Sequence, residues 1–266
     1  MDLGPYYLAA RPFYRPAANE TNLFAAAAAR KLPVMLKGPT GCGKSRFVEA
    51  MAFELGRPLI TVACHEDMTA ADLAGRFLLE NEGTVWADGP LTTAVRHGAI
   101  CYLDEIVEAR QDTTVVIHPL ADHRRVLPLD RNRELVAAHP DFLLVISYNP
   151  GYQSAAKDLK ESTKQRFVAI DFTYPEPEAE AAIVAREAGV DPALATLLVD
   201  IAGRTRNLRG HTLGEGASTR MLIQAGALAG AGIGLRDAIR AAVVLPLTDD
   251  ADLRDALDAV VDACLP

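Results

Sequence analysis

The sequence predicts an α/β sheet domain followed by an all-helical segment, and two observations carry that prediction. Five apolar runs of strand length, near 33–36, 58–63, 100–103, 141–147 and 166–172, are interleaved with stretches of helical spacing. From Pro175 onward the period is helical throughout, which sets a boundary near residue 174, with a core over 1–174 and a helical domain over 175–266.

At 266 residues, half of them hydrophobic, the chain is long enough for a sizeable core in one large or two modest domains, and the composition disfavours disorder. A net charge of −8 and a pI near 5.3 leave no general basic field, which disfavours nucleic acid and anionic membrane surfaces as partners. Cys42, Cys64, Cys101 and Cys264 form no C-x-x-C pair and read as reduced thiols of a cytoplasmic protein, not as a zinc or dithiol site. No apolar run reaches transmembrane length, so no membrane insertion is expected, and Met1–Pro5 does not resemble a secretory signal.

Taken in order, residues 1–20 form an irregular arm in which Tyr6, Tyr7, Phe13 and Tyr14 alternate with prolines and are expected to pack on the domain. A helix from Glu20 to Arg30 leads into the first strand. That strand runs into Gly38-Pro39-Thr40-Gly41-Cys42-Gly43-Lys44-Ser45, which fits G-x-x-x-x-G-K-[ST] at every fixed position, and helical spacing follows from Arg46. Strand, glycine loop and helix start together make a phosphate cradle. The glycines bring backbone N–H groups near phosphate oxygens, and the segment from Gly38 to Arg46 is the expected nucleotide contact. Lys44 reaches the β- and γ-phosphates and Ser45 ligates Mg²⁺ in this reading, so ATP and Mg²⁺ are the expected cofactors.

The run Pro58–Ala63, rich in β-branched residues, reads as the second strand, and Met68–Ala74 reads as a short helix. Arg76–Glu80 and Thr84–Ala87, joined through Asn81-Glu82-Gly83, read as a β-hairpin over about 76–88. The apolar strand ending in Asp104-Glu105 delivers two carboxylates at its C-terminal end, where open α/β sheets bind ligands. Asp104 is expected to hold the hydrated metal and Glu105 to polarise the attacking water. Residues 112–120 read as a helix, and a second hairpin is expected over about 124–136. The strand 141–147 ends in Tyr148-Asn149, whose amide is placed to orient the water; the bland alternative for Asn149 is a turn residue before Pro150. Residues 157–165 read as a basic helical segment, which leaves Arg166 at a helix-to-strand junction. Beyond the boundary, helices are expected at 176–187, 192–202, from about 219, 235–244 and 252–264.

These blocks, with Gln165-Arg166-Phe167 and Gly216-Ala217-Ser218-Thr219-Arg220, resemble an AAA+ ATPase of the MoxR group. Leu36–Ser45, Cys101–Glu105, Ala109–Thr114 and Ile146–Ser154 look like its CbbQ/NorQ/NirQ branch. The resemblance implies a five-stranded parallel αβα sandwich with a C-terminal all-α lid, assembled as a homo-hexameric ring with ATP between subunits. It makes Arg166 the finger that enters the neighbour's site and Arg220 the sensor on the lid, and it makes the hairpins inserts facing a pore or partner. It implies a von Willebrand factor A domain partner, CbbO-like or NorD-like, and a client, either Rubisco freed of inhibitory sugar phosphates or nitric oxide reductase receiving its metal. The catalytic blocks do not separate the clients, and the look of the whole chain leans towards Rubisco. The acidic total counts against a nucleic-acid motor, and the intact Asp104-Glu105 pair counts against a non-catalytic scaffold.

Overall fold

The computed structural model describes residues 2–80, 83–150, 159–207, 213 and 215–265. The chain divides into two compact units, residues 1–38 with 44–172 and residues 39–43 with 173–266. The second unit thus claims the crest of the glycine loop, which no boundary read from composition anticipates.

In the first unit, α1 (Glu20–Ala29), β1 (Val34–Lys37) and α2 (Lys44–Leu55) are followed by β2 (Leu59–Ala63) and α3 (Ala70–Ala74). A hairpin of β3 (Gly75–Glu80) and β4 (Gly83–Asp88) leads to α4 (Pro90–His97) and β5 (Ile100–Asp104). Then come α5 (Gln111–Val115), a second hairpin of β6 (Val126–Leu129) and β7 (Glu134–Ala137), β8 (Leu143–Tyr148), α6 (Glu161–Lys164) and β9 (Val168–Asp171).

The main sheet has five strands in the order β2-β5-β8-β1-β9, and every neighbouring pair is parallel. The central strands β5 and β8 are buried almost end to end, which is why both read as continuous apolar runs without alternation. The chain enters at β1, crosses to the edge at β2 and returns through β5 and β8. The carboxyl ends of β5, β8 and β1 therefore lie side by side, the place where open α/β sheets hold ligands. Phe47 of α2 is fully buried among Tyr14, Phe24 and Phe172 at centroid distances of 5.3, 5.3 and 5.1 Å, which fixes the loop-bearing helix and the N-terminal arm together.

Helix α4 has no counterpart among the expected elements, and the helix expected at 112–120 ends early. Pro119 has no N–H to continue it, so α5 stops at Val115 and a series of turns carries the chain to Leu120. Of the basic segment 157–165, residues 157 and 158 lie outside the described residues and the remainder contains only the single turn α6.

The second unit packs α7 (Pro177–Ala188), α8 (Pro192–Asn207), α9 (Thr219–Gly230), α10 (Leu235–Ile239), α11 (Leu245–Leu247) and α12 (Ala251–Asp262) around Leu198, Ile201, Leu222, Val243 and Leu257. A π-helical stretch, Arg240–Val244, joins α10 to α11. The fully buried Glu180 accepts a fork of two 2.7 Å bonds from Arg206 and a 2.5 Å bond from Thr219, which pins α7, α8 and α9 to one another. The Arg206 guanidinium also lies over the Tyr174 ring, 3.8 Å from its centroid.

Candidate nucleotide site

The loop begins where β1 ends. Gly38 has φ +153°, and a Cβ there would sit 2.3 Å from the Phe172 carbonyl oxygen, so only glycine fits. Gly41 and Gly43 also take positive φ, +69° and +102°. α2 then starts at Lys44 and directs its first N–H groups and the positive end of its dipole towards the loop. The Lys44 ammonium donates to the Gly38 carbonyl at 2.6 Å, folding its charge over the loop's own backbone.

Across the sheet edge, the Ser45 hydroxyl donates to Asp104 Oδ2 at 3.2 Å. Asp104 is the last residue of β5, and its other oxygen, Oδ1, accepts from Tyr102 Oη at 2.6 Å and from Ser147 Oγ at 2.5 Å. Tyr102 is buried on the same strand face, two residues earlier, and Ser147 comes from β8 alongside. Burial, the charge of Asp104 and the bond to it all push the Tyr102 phenol upward, so it stays a donor. Glu105 follows in the left-handed region at φ 54° and ψ 47°, a conformation that costs about 1–2 kcal/mol for a residue with a Cβ. Its N–H is held by Ser147 Oγ at 3.1 Å, and its side chain is exposed. Asn149 follows β8 directly and is partly buried.

Lys44, Ser45 and Asp104 are therefore brought together, with Glu105 and Asn149 on adjoining strand ends. Arg166 is not joined to them: its guanidinium bonds the carbonyl of Ser162 in its own turn. Cys64, whose N–H bonds the Asp104 carbonyl at 2.9 Å, is pushed up to about 12 by burial and by the Asp104 and Glu105 charges, so it is no nucleophile at neutral pH. Among the described residues no cluster of three or more His, Cys, Asp or Glu could hold a metal by itself. A Ser45–Asp104 pair beside an anion cradle fits Mg²⁺, which takes one or two protein oxygens and fills its shell with phosphate and water.

In the second unit the loop crest is held by groups that motif reading passes over. The Thr40 N–H donates to Glu215 Oε1 at 3.2 Å, and Tyr174 Oη donates to the Thr40 carbonyl at 3.1 Å. A Cβ on Gly41 would lie 2.7 Å from Ser218 and 3.4 Å from the Cβ of Arg220, whose own side chain is exposed at the start of α9. Tyr102, Ser147, Tyr174 and Glu215 are thus the additions to the expected set. The one signal for them in the sequence is Ser147, a serine at the end of an apolar run.

Residues 33–167 match the AAA domain (dynein-related subfamily), and residues 180–264 match the CbbQ/NirQ/NorQ C-terminal family. The chain is 66% identical over 260 residues to protein CbbQ of Hydrogenophilus thermoluteolus, covering 97% of each. The chain belongs to the CbbQ/NirQ/NorQ family of AAA ATPases. Protein NorQ of Paracoccus denitrificans is a second relative of this family member, 59% identical over 92% of this chain and 91% of its own. Among solved structures, a putative ATPase from Cytophaga hutchinsonii aligns at a TM-score of 0.53 and 15% identity, covering 91% of this chain and 88% of that one, a likeness of fold alone. The AAA match encloses Gly38–Ser45, Asp104, Glu105, Asn149 and Arg166, and the C-terminal match encloses Arg220. No described helix is long and apolar enough to cross a membrane.

Proposed function

We propose that this AAA ATPase hydrolyses ATP with Mg²⁺ in a cytoplasmic homo-hexameric ring and uses the cycle to remodel a client. The observation that carries the reading is the 3.2 Å Ser45–Asp104 bond next to Lys44 at the loop. Lys44 grips the β- and γ-phosphates, and Ser45 and Asp104 hold the metal, which when bound neutralises charge on the phosphate oxygens. Glu105 accepts the proton of the attacking water, and Asn149 orients that water. Arg166, whose guanidinium bonds the Ser162 carbonyl of its own turn, serves the neighbouring subunit's site, and Arg220 senses the nucleotide from the helical lid, residues 175–266.

The hairpin β3–β4 exposes Phe77 and, at 88%, Leu79 on one face, and Leu78 with Val85 on the other, apolar groups that support contact with another protein. The partner we propose is a von Willebrand factor A domain protein. The higher identity to CbbQ, 66% against 59% for NorQ, supports Rubisco as client over nitric oxide reductase.

Glu105→Gln is expected to bind a fluorescent ATP analogue like the wild type while turnover falls on the order of a hundredfold or more. Lys44→Ala is expected to lose binding itself. Near-normal steady-state hydrolysis by Glu105→Gln would falsify the assignment. For the client, co-purification with the partner and release of sugar phosphate from inhibited Rubisco are the expected results, and maturation of nitric oxide reductase in their place would reassign it.

A further inference from the structure

The geometry points to Tyr102 and Ser147 as positioning residues that clamp one oxygen of Asp104 so that the other faces the metal. The inference rests on the reading that Ser45 and Asp104 hold Mg²⁺. Asp104 Oδ1 takes two short hydroxyl bonds, 2.6 Å from Tyr102 and 2.5 Å from Ser147, while Oδ2 takes the longer 3.2 Å bond from Ser45. A carboxylate with one oxygen occupied in this way cannot turn about its Cβ–Cγ bond without breaking both short bonds. Oδ2 is therefore fixed on the side of Ser45, where a metal's hydration shell would meet it. Groups that orient a metal-binding carboxylate in this manner typically govern affinity by about 10- to 100-fold.

The two hydroxyls have separable roles. Tyr102 touches Asp104 and, at 3.4 Å, Ser45, and it also bonds the Ser147 hydroxyl, so it meets both members of the metal pair directly. Ser147 donates to Asp104 and also accepts the N–H of Glu105, so it fixes the left-handed turn that aims the water-polarising carboxylate. One side chain of β8 thus sets the metal-side and water-side groups of β5 in a common frame.

The experiment is a Mg²⁺ titration of fluorescent ATP-analogue affinity, with kcat measured at saturating Mg²⁺ on the same proteins. Tyr102→Phe keeps the ring in its buried place and leaves Asp104 Oδ1 its bond from Ser147. Its Mg²⁺ midpoint is expected to rise about tenfold, while affinity in EDTA stays put and kcat recovers as Mg²⁺ saturates. Ser147→Ala is expected to raise the midpoint as well but to keep a lowered kcat at saturation, and Ser147→Thr, which restores the hydroxyl, is expected to rescue both. A Mg²⁺-dependent wild type with a Tyr102→Phe midpoint within twofold of it overturns the inference alone. A wild type whose nucleotide affinity ignores Mg²⁺ overturns the metal reading and the inference with it.

Discussion

Glu20 shows how a single buried charge fixes a segment with no regular structure. The residue is 6% exposed at the first turn of α1, and its carboxylate accepts Tyr14 Oη at 2.7 Å and the N–H groups of Ala17 and Ala18 at 2.8 Å each. Burial raises its pKa, but the hydrogen bonds from Tyr14, its own N–H, Ala17 and Ala18 together outweigh burial and leave it below the ordinary value. The sign follows from linkage. A depressed carboxylate contributes stability that is present above its unfolded pKa, about 4.3, and is lost as pH falls through the folded value. Glu20→Gln, which sets an amide NH₂ against N–H donors, is therefore expected to lower stability at pH 7 by about 1–3 kcal/mol, with the deficit shrinking at pH 3.5. Urea midpoints at the two pH values check this. An equal deficit at both would mean that shape and not charge is at stake.

At the scale of elements, α4 ties the two hairpins. Arg96 donates from Nε to Asp88 at the end of β4 at 2.9 Å and from Nη1 and Nη2 to Glu134 at the start of β7 at 2.7 and 2.6 Å. Trp86 and Asn132 donate to the same two carboxylates, at 2.7 and 3.0 Å. The groups are only partly exposed and the fork is bidentate, so about 1 kcal/mol is a fair scale for the link. Arg96→Met is expected to speed amide hydrogen exchange in both 75–80 with 83–88 and 126–137, whereas Glu134→Gln is expected to speed mainly the second. Acceleration of one hairpin only in Arg96→Met would show that they are not joined. α4 also marks where sequence reading stops. Pro90 at its first position and Gly98 in the left-handed cap were visible signals, but eight residues with Thr92 and Thr93 in the middle carry too little helical character to stand out. The hairpins, the strands and the glycine loop were legible because each is encoded within about ten residues by period or motif. The strand order was not, since parallel pairing joins residues far apart in the chain. For the same reason Lys44, Ser45 and Asp104 were legible by motif, whereas Ser147 on Asp104, 43 residues away, and Glu215 on Thr40, 175 away, became visible only when folded.

For the whole molecule, the question is whether one chain contains a complete hydrolytic site. Apart from Arg220, proposed to sense the nucleotide from α9, the groups proposed for binding phosphate, metal and water lie on the loop and strand ends from Gly38 to Asn149, whereas the arginine proposed to meet transition-state charge bonds the Ser162 carbonyl of its own turn. An arginine supplied in trans is commonly worth about 10³–10⁵ in rate, so a chain that lacks one in its own site should turn over slowly until a second copy docks. This separates two inactive variants. Arg166→Ala is expected to keep an intact nucleotide site and fail to activate its neighbour, while Lys44→Ala is expected to lose its own site and keep a usable arginine. Each alone should hydrolyse ATP at background rates. Mixed in equal amounts and allowed to reassemble, they create junctions in which an intact Arg166→Ala site faces a wild-type arginine on a Lys44→Ala subunit. Steady-state ATPase above the sum of the two pure variants is the expected result, growing with total protein concentration as rings form. Activity equal to that sum, with co-assembly verified by tagged pull-down, would place Arg166 outside the neighbour's site and leave the chain to supply its transition-state charge from elsewhere.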